Sequence, residues 1–92
     1  MEFEWGDAKA AGNRRKHGVS FEEAMTVFDD PNRLEEFDVE HSNSEDRWLV
    51  IGLSAMSRVL AIVYVLREAD TYRIIMARNA TSAEVRRYES RS

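Results

Sequence analysis

Residues 16–24, with the sequence KHGVSFEEA, restrict the possible folds of this chain more than any other segment. Gly18 follows a run of four basic residues, and a glycine in the left-handed conformation commonly ends a helix. Positive charge at that end also offsets the partial negative charge of a helix C-terminus. Ser20 and Glu23 then have the spacing of a capping box, which begins a helix. The segment therefore predicts two helices joined by a tight turn.

Patterns on either side of this junction predict the remaining elements. Residues 1–5 alternate apolar and acidic side chains as a strand does, and residues 7–17 form the first helix. The second helix runs from Ser20 to about residue 28, and Pro31 prevents its continuation. Four further strands and a last helix, which a second capping box opens, are predicted over residues 34–39, 48–53, 58–67, 72–78 and 81–88. The order β-α-α-β-β-β-β-α indicates an α+β fold with helices on one antiparallel sheet.

Length and composition exclude several classes of protein. A chain of 92 residues allows one small domain, over residues 1–92. Because cysteine is absent, there is no disulfide, thiolate metal site or cysteine nucleophile, which fits a cytoplasmic protein. The longest apolar run, residues 59–66, is much shorter than the ~20 residues of a spanning helix. The acidic N-terminus also lacks a signal-peptide pattern, so we expect a cytoplasmic protein without membrane contact.

Charge is distributed unevenly along the chain. The formal net charge of −4 by itself argues against nucleic acid as a partner. Residues 1–46 contain 13 acidic and 5 basic side chains, however, whereas residues 47–92 contain 4 acidic side chains and 8 arginines. Arginine presents a planar fork of donors that fits phosphate. The second half of the chain is therefore a candidate for phosphate contact, although the same arginines would equally provide solubility.

The helical junction and its flanks resemble one known family. The flanking segments are Phe3-Glu4-Trp5, Phe28-Asp29-Asp30-Pro31, Ile74-Ile75-Met76-Ala77-Arg78, Ala80-Thr81, Glu84 and Arg86-Arg87-Tyr88. Together they look like the BrnT family of type II toxins, and the likeness extends from Phe3 to about Tyr88. The resemblance implies a RelE-like microbial ribonuclease fold and no cofactor.

The resemblance also implies an activity and a partner. Members of this class are small bacterial ribonucleases, and the implied reaction is metal-independent cleavage of RNA, with mRNA as the expected substrate and arrest of translation as the result. A BrnA-type antitoxin, typically a dimeric ribbon-helix-helix protein, is implied as the neutralising partner. We expect a heterotetramer built on the antitoxin dimer, with operator DNA bound only through the antitoxin.

A ribonuclease that uses no metal needs groups that transfer protons and cations that stabilise the charge developing at phosphorus. Arginines on a sheet suit the second role, because rigid elements hold their geometry. The catalytic candidates are Arg47, Arg58, Tyr64, Arg67, Arg78 and His17. We expect the arginines, which lie at strand ends, to converge on one rim of the sheet. The alternative is that each arginine pairs with a nearby acid or caps a helix.

Tyr64 and His17 have structural explanations as well. A tyrosine inside a central strand is usually part of the core, but a neighbouring arginine would favour its phenolate and so a role in proton transfer. Histidine exchanges protons near neutrality, yet the position of His17 at a helix C-terminus is explained by charge alone. The candidates for contact with RNA phosphate are Lys16, Arg73, Arg86 and Arg87. Solvated helix ends or antitoxin contacts are the alternatives for these residues.

No metal site is predicted. His41 lies near Glu40 and Asp38, but the cluster lacks a recognisable ligand spacing.

Four positions depart from the pattern of the family and leave a second function open. They are Gly6, Ser57, Met76 and Asn79, where relatives usually carry an acid, a glycine, a small polar residue and a basic residue. The alternative function is a non-catalytic or degenerate toxin-fold module that acts only within the antitoxin complex.

Overall fold

An antiparallel sheet with one parallel edge strand forms the frame of the molecule. The computed structural model describes residues 1–39, 45–68 and 70–91. Within these residues the strands are β1 (Glu2–Glu4), β2 (Leu34–Phe37), β3 (Trp48–Leu53), β4 (Val59–Arg67) and β5 (Thr71–Asn79). They are arranged in the order β1-β5-β4-β3-β2, and only the β1–β5 pair is parallel among these strands.

Three helices complete the described part of the chain: α1 (Asp7–His17), α2 (Phe21–Thr26) and α3 (Ser82–Arg91). The predicted order β-α-α-β-β-β-β-α and the α+β class are confirmed. The second helix is shorter than predicted, because a single 3-10 turn, Val27–Asp29, replaces its last α-helical residues. The last helix is longer than predicted and extends to Arg91. None of the helices in the described residues is long and apolar enough to cross a membrane.

The junction between α1 and α2 has the predicted geometry. Gly18 adopts the left-handed conformation, with φ of 69°, and its N–H donates to the carbonyl of Arg14 at 2.9 Å. The hydroxyl of Ser20 accepts from the N–H of Glu23 at 3.0 Å, which is half of a capping box. The carboxylate of Glu23 does not complete the box, since it binds other partners described below. At the start of α1, Gly6 occupies the cap position without a side-chain hydrogen bond.

One face of the sheet, here called the closed face, is covered by α1, α2 and the 3-10 turn. Valine, phenylalanine and alanine side chains of the helical segment pack there against alternate residues of the three central strands. The buried residues are Val19, Phe21, Ala24, Val27, Phe28, Val50, Leu60, Ile62, Tyr64, Ile74 and Ala77. This face therefore holds the larger of the two cores.

The opposite face, here called the open face, is covered only in part. Tyr88 of α3 packs on Ile51 and Ala61, which form a second, smaller core. The hydroxyl of Tyr88 donates to the carboxylate of Asp30, which also accepts from the N–H of Leu53 at 2.8 Å. These bonds fix α3 over one end of the sheet and leave the neighbouring surface uncovered.

Candidate functional site

A cavity of about 570 Å³ lies on the open face beside α3. Basic side chains reach it from α1, β5 and α3, acidic side chains reach it from α3 and the β2 region, and apolar residues form its floor. Its lining residues are Lys16, His17, Glu36, Phe37, Asp38, Leu49, Val63, Met76, Arg78, Glu84 and Arg87. The cavity is large enough for a nucleotide-sized ligand.

The strand register explains the apolar floor. Glu36 is opposite Leu49, Leu49 is opposite Val63, and Val63 is opposite Met76, so the four residues form one row across β2, β3, β4 and β5. Residues directly opposite each other in a sheet project from the same face. The row therefore presents three apolar side chains to the cavity, with one carboxylate at the β2 end.

The next row of the sheet explains why the cavity has a wall. Arg78 is opposite Ala61, and Ala61 is opposite Ile51, the two residues on which Tyr88 packs. α3 thus covers this row, and Arg78, at the β5 end of the row, projects beside the helix into the cavity. Because Arg78 lies between a covered row and an open row, the aliphatic part of its side chain is held beside α3 and its guanidinium is accessible from the cavity.

Glu84 orients the guanidinium of Arg78. Nη1 and Nη2 of Arg78 donate to the two carboxylate oxygens of Glu84 at 2.7 and 3.0 Å. Glu84 is itself fixed by the predicted capping box, in which the N–H of Thr81 donates to Oε1 at 2.9 Å and the Thr81 hydroxyl accepts from the N–H of Glu84 at 3.2 Å. These hydrogen bonds raise the pKa of Arg78 and, led by the Arg78 bond, lower the pKa of the Glu84 carboxyl, so both groups are charged.

The other cations approach from both sides of the floor. Lys16 and His17 belong to the last turn of α1, which lies along the edge of β5. Arg87 extends from α3 across the cavity to Glu36 of β2, with Nη2 and Oε1 2.9 Å apart. Because both side chains of this pair are nearly half exposed, the contact is weak and easily displaced by a ligand.

Arg47 lies next to the same cavity. It lines a smaller cavity of about 150 Å³ together with Val63, Ile75 and Met76. Val63 and Met76 also form the floor of the main cavity, so the two cavities are neighbours on the open face. Of the predicted catalytic residues, the structure therefore brings His17 and Arg78 into one cavity, with Arg47 beside it.

The expected convergence on one rim is wrong for Arg58. Its guanidinium pairs with Glu23, with Nε and Oε2 3.0 Å apart, and Nη2 also donates to the carbonyl of Gly18 at 3.3 Å. The side chain of Glu23 is only 4% exposed and accepts a further hydrogen bond from Ser54 at 2.7 Å. The pair lowers the pKa of Glu23 and raises that of Arg58. Arg58 thus joins α2 to the start of β4 on the closed face.

Tyr64 is also on the closed face, and its predicted phenolate is not favoured. Its ring packs among Phe28 and Tyr72, with centroids 5.3 Å from each. Burial, followed by the hydrogen bond that its hydroxyl donates to Glu35, raises the pKa of Tyr64. The expectation that a nearby arginine favours the phenolate is wrong, because burial and a carboxylate favour the protonated form.

The remaining predicted residues lie outside the lining of the cavity in the described structure. Arg67, at the far end of β4, lies 3.4 Å from the carboxylate of Glu45, and Arg73 of β5 lies 3.0 Å from that of Glu4. Arg86 is exposed on α3 and is not part of the lining. Of the residues predicted to bind RNA, only Lys16 and Arg87 line the cavity.

Sequence reasoning did not place the three carboxylates Glu36, Asp38 and Glu84 in a site with the cations. The capping-box spacing identified Glu84, but nothing in the sequence linked it to Arg78. Among the described residues no acidic or histidine cluster is arranged to hold a metal ion. His41 lies outside the described residues, as does Glu40.

The fold is that of a small ribonuclease toxin. The 1.1 Å crystal structure of the Brucella abortus ribonuclease toxin BrnT matches with a TM-score of 0.65 and 18% sequence identity, over 89% of this chain and 99% of that chain. Residues 5–84 also match the model of the family described as "Ribonuclease toxin, BrnT, of type II toxin-antitoxin system". The chain therefore belongs to the BrnT family of ribonuclease toxins, whose type II systems imply an antitoxin partner. Comparison with curated proteins found no match.

Proposed function

We propose that the chain is a metal-independent endoribonuclease and that the cavity on the open face is its active site. One observation carries the proposal: Lys16, His17, Arg78 and Arg87, from three separate elements, line one cavity in a chain that belongs to a ribonuclease toxin family. Cations on rigid elements suit a phosphodiester, because charge increases at phosphorus during cleavage.

Arg78 is the residue that stabilises this charge. Its hydrogen bonds to the carboxylate of Glu84 and to the carbonyl of Asn79 use Nη1 and Nη2, the two terminal nitrogens of the guanidinium. In the proposed site the edge formed by Nε and Nη2 binds a phosphate oxygen, while Glu84 holds the plane of the group in place. A preorganised donor of this kind contributes about 10²–10³ to the rate.

The proton-transfer groups lie on opposite sides of the floor. Asp38 and Glu36 approach the cavity from the β2 side and His17 approaches it from the β5 side. The β2 and β5 backbones are three strand spacings, about 14 Å, apart, and the side chains reach inward from both sides. In the proposed reaction a carboxylate accepts the proton of the ribose 2′-hydroxyl as its oxygen attacks phosphorus. The bond to the 5′-oxygen breaks, and His17 acts as the general acid that donates the proton this oxygen requires. The products are a 2′,3′-cyclic phosphate and a 5′-hydroxyl.

The test is RNA cleavage by the purified chain in EDTA. We expect cleavage, a 2′,3′-cyclic phosphate at the new 3′ end, and loss of at least about 10²-fold in rate for Arg78→Ala. Arg67→Ala is the matched control, because it removes an arginine whose partner is Glu45 at the other end of the sheet. Folded protein that leaves RNA intact, or cleavage that EDTA abolishes, would contradict the proposal.

The proposed substrate in cells is mRNA, and the proposed inhibitor is a BrnA-type ribbon-helix-helix antitoxin. An antitoxin segment that covers the cavity would exclude RNA while pairing with the same cations. Size measurement of the co-expressed complex should give two toxin chains on one antitoxin dimer, and cleavage should return when the antitoxin is removed. A complex that still cleaves RNA at the free rate would contradict occupation of the cavity.

One observation favours the alternative function, a non-catalytic module. Nη1 and Nη2 of Arg78 already donate to the carboxylate of Glu84, as expected for an arginine with a purely structural role. The variant Glu84→Gln distinguishes the two functions. An enzyme should lose rate, because Arg78 loses its orienting charge, whereas a binding module would show no cleavage in the parent chain and unchanged antitoxin binding in the variant.

A further inference from the structure

A buried asparagine joins the two segments that carry the cations of the cavity. Asn13 lies on α1 and is 7% exposed, although asparagine is usually a surface residue. Its Nδ2 donates to the carbonyls of Val19 at 2.9 Å and Ala77 at 2.8 Å, and its Oδ1 accepts from the N–H of Ala77 at 3.1 Å. Both donors of the amide are therefore used, each on a different segment of backbone.

The edge of β5 explains why these bonds exist. β1 pairs only with residues 71–73 of β5, so the edge beyond them has no strand neighbour among the described residues. Asn13 supplies a donor and an acceptor to Ala77 there, as a neighbouring strand would. Met76 and Arg78, on either side of Ala77, both line the cavity.

The same amide fixes the end of α1. Lys16 and His17 follow Asn13 by three and four residues, which places them on the same side of the helix, one turn further on. Val19, the second acceptor, comes directly after Gly18, where the helix ends. The Asn13 amide thus joins the backbone that follows Lys16 and His17 to Ala77 of β5, which sets the position of these two residues relative to Arg78.

We propose that Asn13 is a positioning residue for RNA cleavage, which it serves by aligning Lys16 and His17 with Arg78 across the reacting phosphodiester. The inference rests on the proposed ribonuclease function. Asn13 does not line the cavity and acts only through the residues that it holds. Misplacement of reacting groups by about 1 Å costs on the order of 10²-fold in rate, so a single amide in this place has a catalytic consequence.

The test compares Asn13→Asp and Asn13→Ala with the parent chain, with rates expressed per folded molecule. Asn13→Asp keeps the shape and the acceptor for Ala77 but removes both donors. We expect kcat to fall at least about tenfold in both variants while KM changes less than about threefold, because phosphate contacts remain but their alignment is lost. Ser54→Ala is the matched control: Ser54 is 4% exposed and hydrogen-bonded to Glu23 on the closed face, and its loss should leave kcat per folded molecule unchanged.

A double-mutant cycle separates positioning from general stability. The Arg78→Lys variant already lacks the oriented guanidinium. In that background, Asn13→Asp should therefore lower kcat by much less than it does in the parent chain. Parent-like kcat per folded molecule in both Asn13 variants would overturn the inference, as would an equal loss in the Arg78→Lys background. Loss of the fold in both variants would also overturn it, by showing that the amide maintains the fold itself. A parent chain that does not cleave RNA would instead overturn the proposed function.

Discussion

The two faces of the sheet each contain an arginine paired with a well-buried glutamate, but the pairs differ in what surrounds them. On the closed face, Arg58 and Glu23 are joined to Ser54 and to the carbonyl of Gly18. On the open face, Arg78 and Glu84 lie at the wall of a 570 Å³ cavity. The same ion-pair chemistry therefore joins two elements in one place and orients a cation toward a cavity in the other.

The difference follows from how much of each face the helices cover. The helical segment from α1 to the 3-10 turn supplies five buried apolar residues to the closed face, whereas α3 supplies only Tyr88 to the core of the open face among the described residues. A short amphipathic helix covers one row of a sheet and leaves the next row accessible. On this basis, substitutions on the closed face should change stability, and substitutions at the cavity should change activity.

The largest expected effect is on activity, at Arg78. Arg78→Ala should lower kcat for RNA cleavage by about 10²–10³-fold per folded molecule, because the proposed active site then lacks its donor to the developing charge. Arg78→Lys should recover only part of the rate, since lysine keeps the charge but lacks the planar fork. Steady-state cleavage of a short RNA measures both. Equal activity of Arg78→Ala and the parent would contradict the proposed site.

Arg58 should show the opposite behaviour. Arg58→Ala should lower the free energy of unfolding by about 1–3 kcal/mol, because the buried carboxylate of Glu23 loses its charged partner. Once corrected for the folded fraction, kcat should match that of the parent. Urea unfolding and the RNA assay on the same samples test this. A catalytic loss like that of Arg78→Ala with parental stability would place Arg58 in the active site after all.

Acidification should destabilise both faces. Hydrogen bonds from Arg58 and from Arg78 lower the pKa of Glu23 and of Glu84, and the pKa of Asp30 is also lowered, because backbone and Tyr88 hydrogen bonds outweigh its burial. A carboxyl group whose pKa is lower in the folded protein than in the unfolded protein stabilises the fold at pH values above its unfolded-state pKa, which is 4.5 for a glutamate. This stabilisation is lost as the pH falls through the folded-state pKa. The free energy of unfolding in urea should therefore fall steadily below about pH 4.5.

Glu23→Gln and Glu84→Gln make the acid prediction specific. Each variant should lose less stability on acidification than the parent chain, because glutamine does not titrate. A free energy of unfolding that stays constant or rises from pH 5 to pH 3 in the parent would contradict the lowered pKa values.

The smallest expected effects are at two turns that adopt positive φ. Ser57 has φ of 62° in the turn before β4, where a glycine would be unstrained. Ser57→Gly should therefore raise the free energy of unfolding by up to about 1 kcal/mol and leave kcat unchanged. Gly18→Ala should lower the free energy of unfolding by about 1 kcal/mol, because Gly18 has φ of 69° and alanine is strained there. Thermal unfolding checks the opposite signs, and a destabilised Ser57→Gly would contradict the strain.

Local sequence signals predicted the fold well because they act over a few residues. Gly18 and the Thr81–Glu84 pair form the caps that their spacing indicated, and Ser20 forms half of the capping box predicted with Glu23. The apolar run of β4, by contrast, gives no indication of which residues face α1 and α2, since both faces of that strand are buried. The sequence therefore allows a catalytic role for Tyr64, which the structure places on the closed face.

The site depends on pairings between distant parts of the chain, which a single sequence does not contain. The row from Glu36 to Met76 exists only through the register of four strands, and a shift in the β4–β5 register between Val63 and Tyr64 changes which β5 residues reach the cavity. Asn13 looks like an ordinary helical residue until Ala77 is placed beside it. The resemblance to a family identified Lys16, His17 and Arg78, but only the structure shows that they line one cavity.

The most direct test of the difference between the faces is an NMR titration with an RNA whose 2′-hydroxyls are methylated, which binds but provides no nucleophile. We predict that the amides of residues 16–17, 76–78 and 84–87 shift together as RNA is added, while those of residues 20–27 and Arg58 stay unchanged. Shifts centred on the closed face, or no saturable shifts at the cavity, would contradict the assignment of RNA binding to the open face.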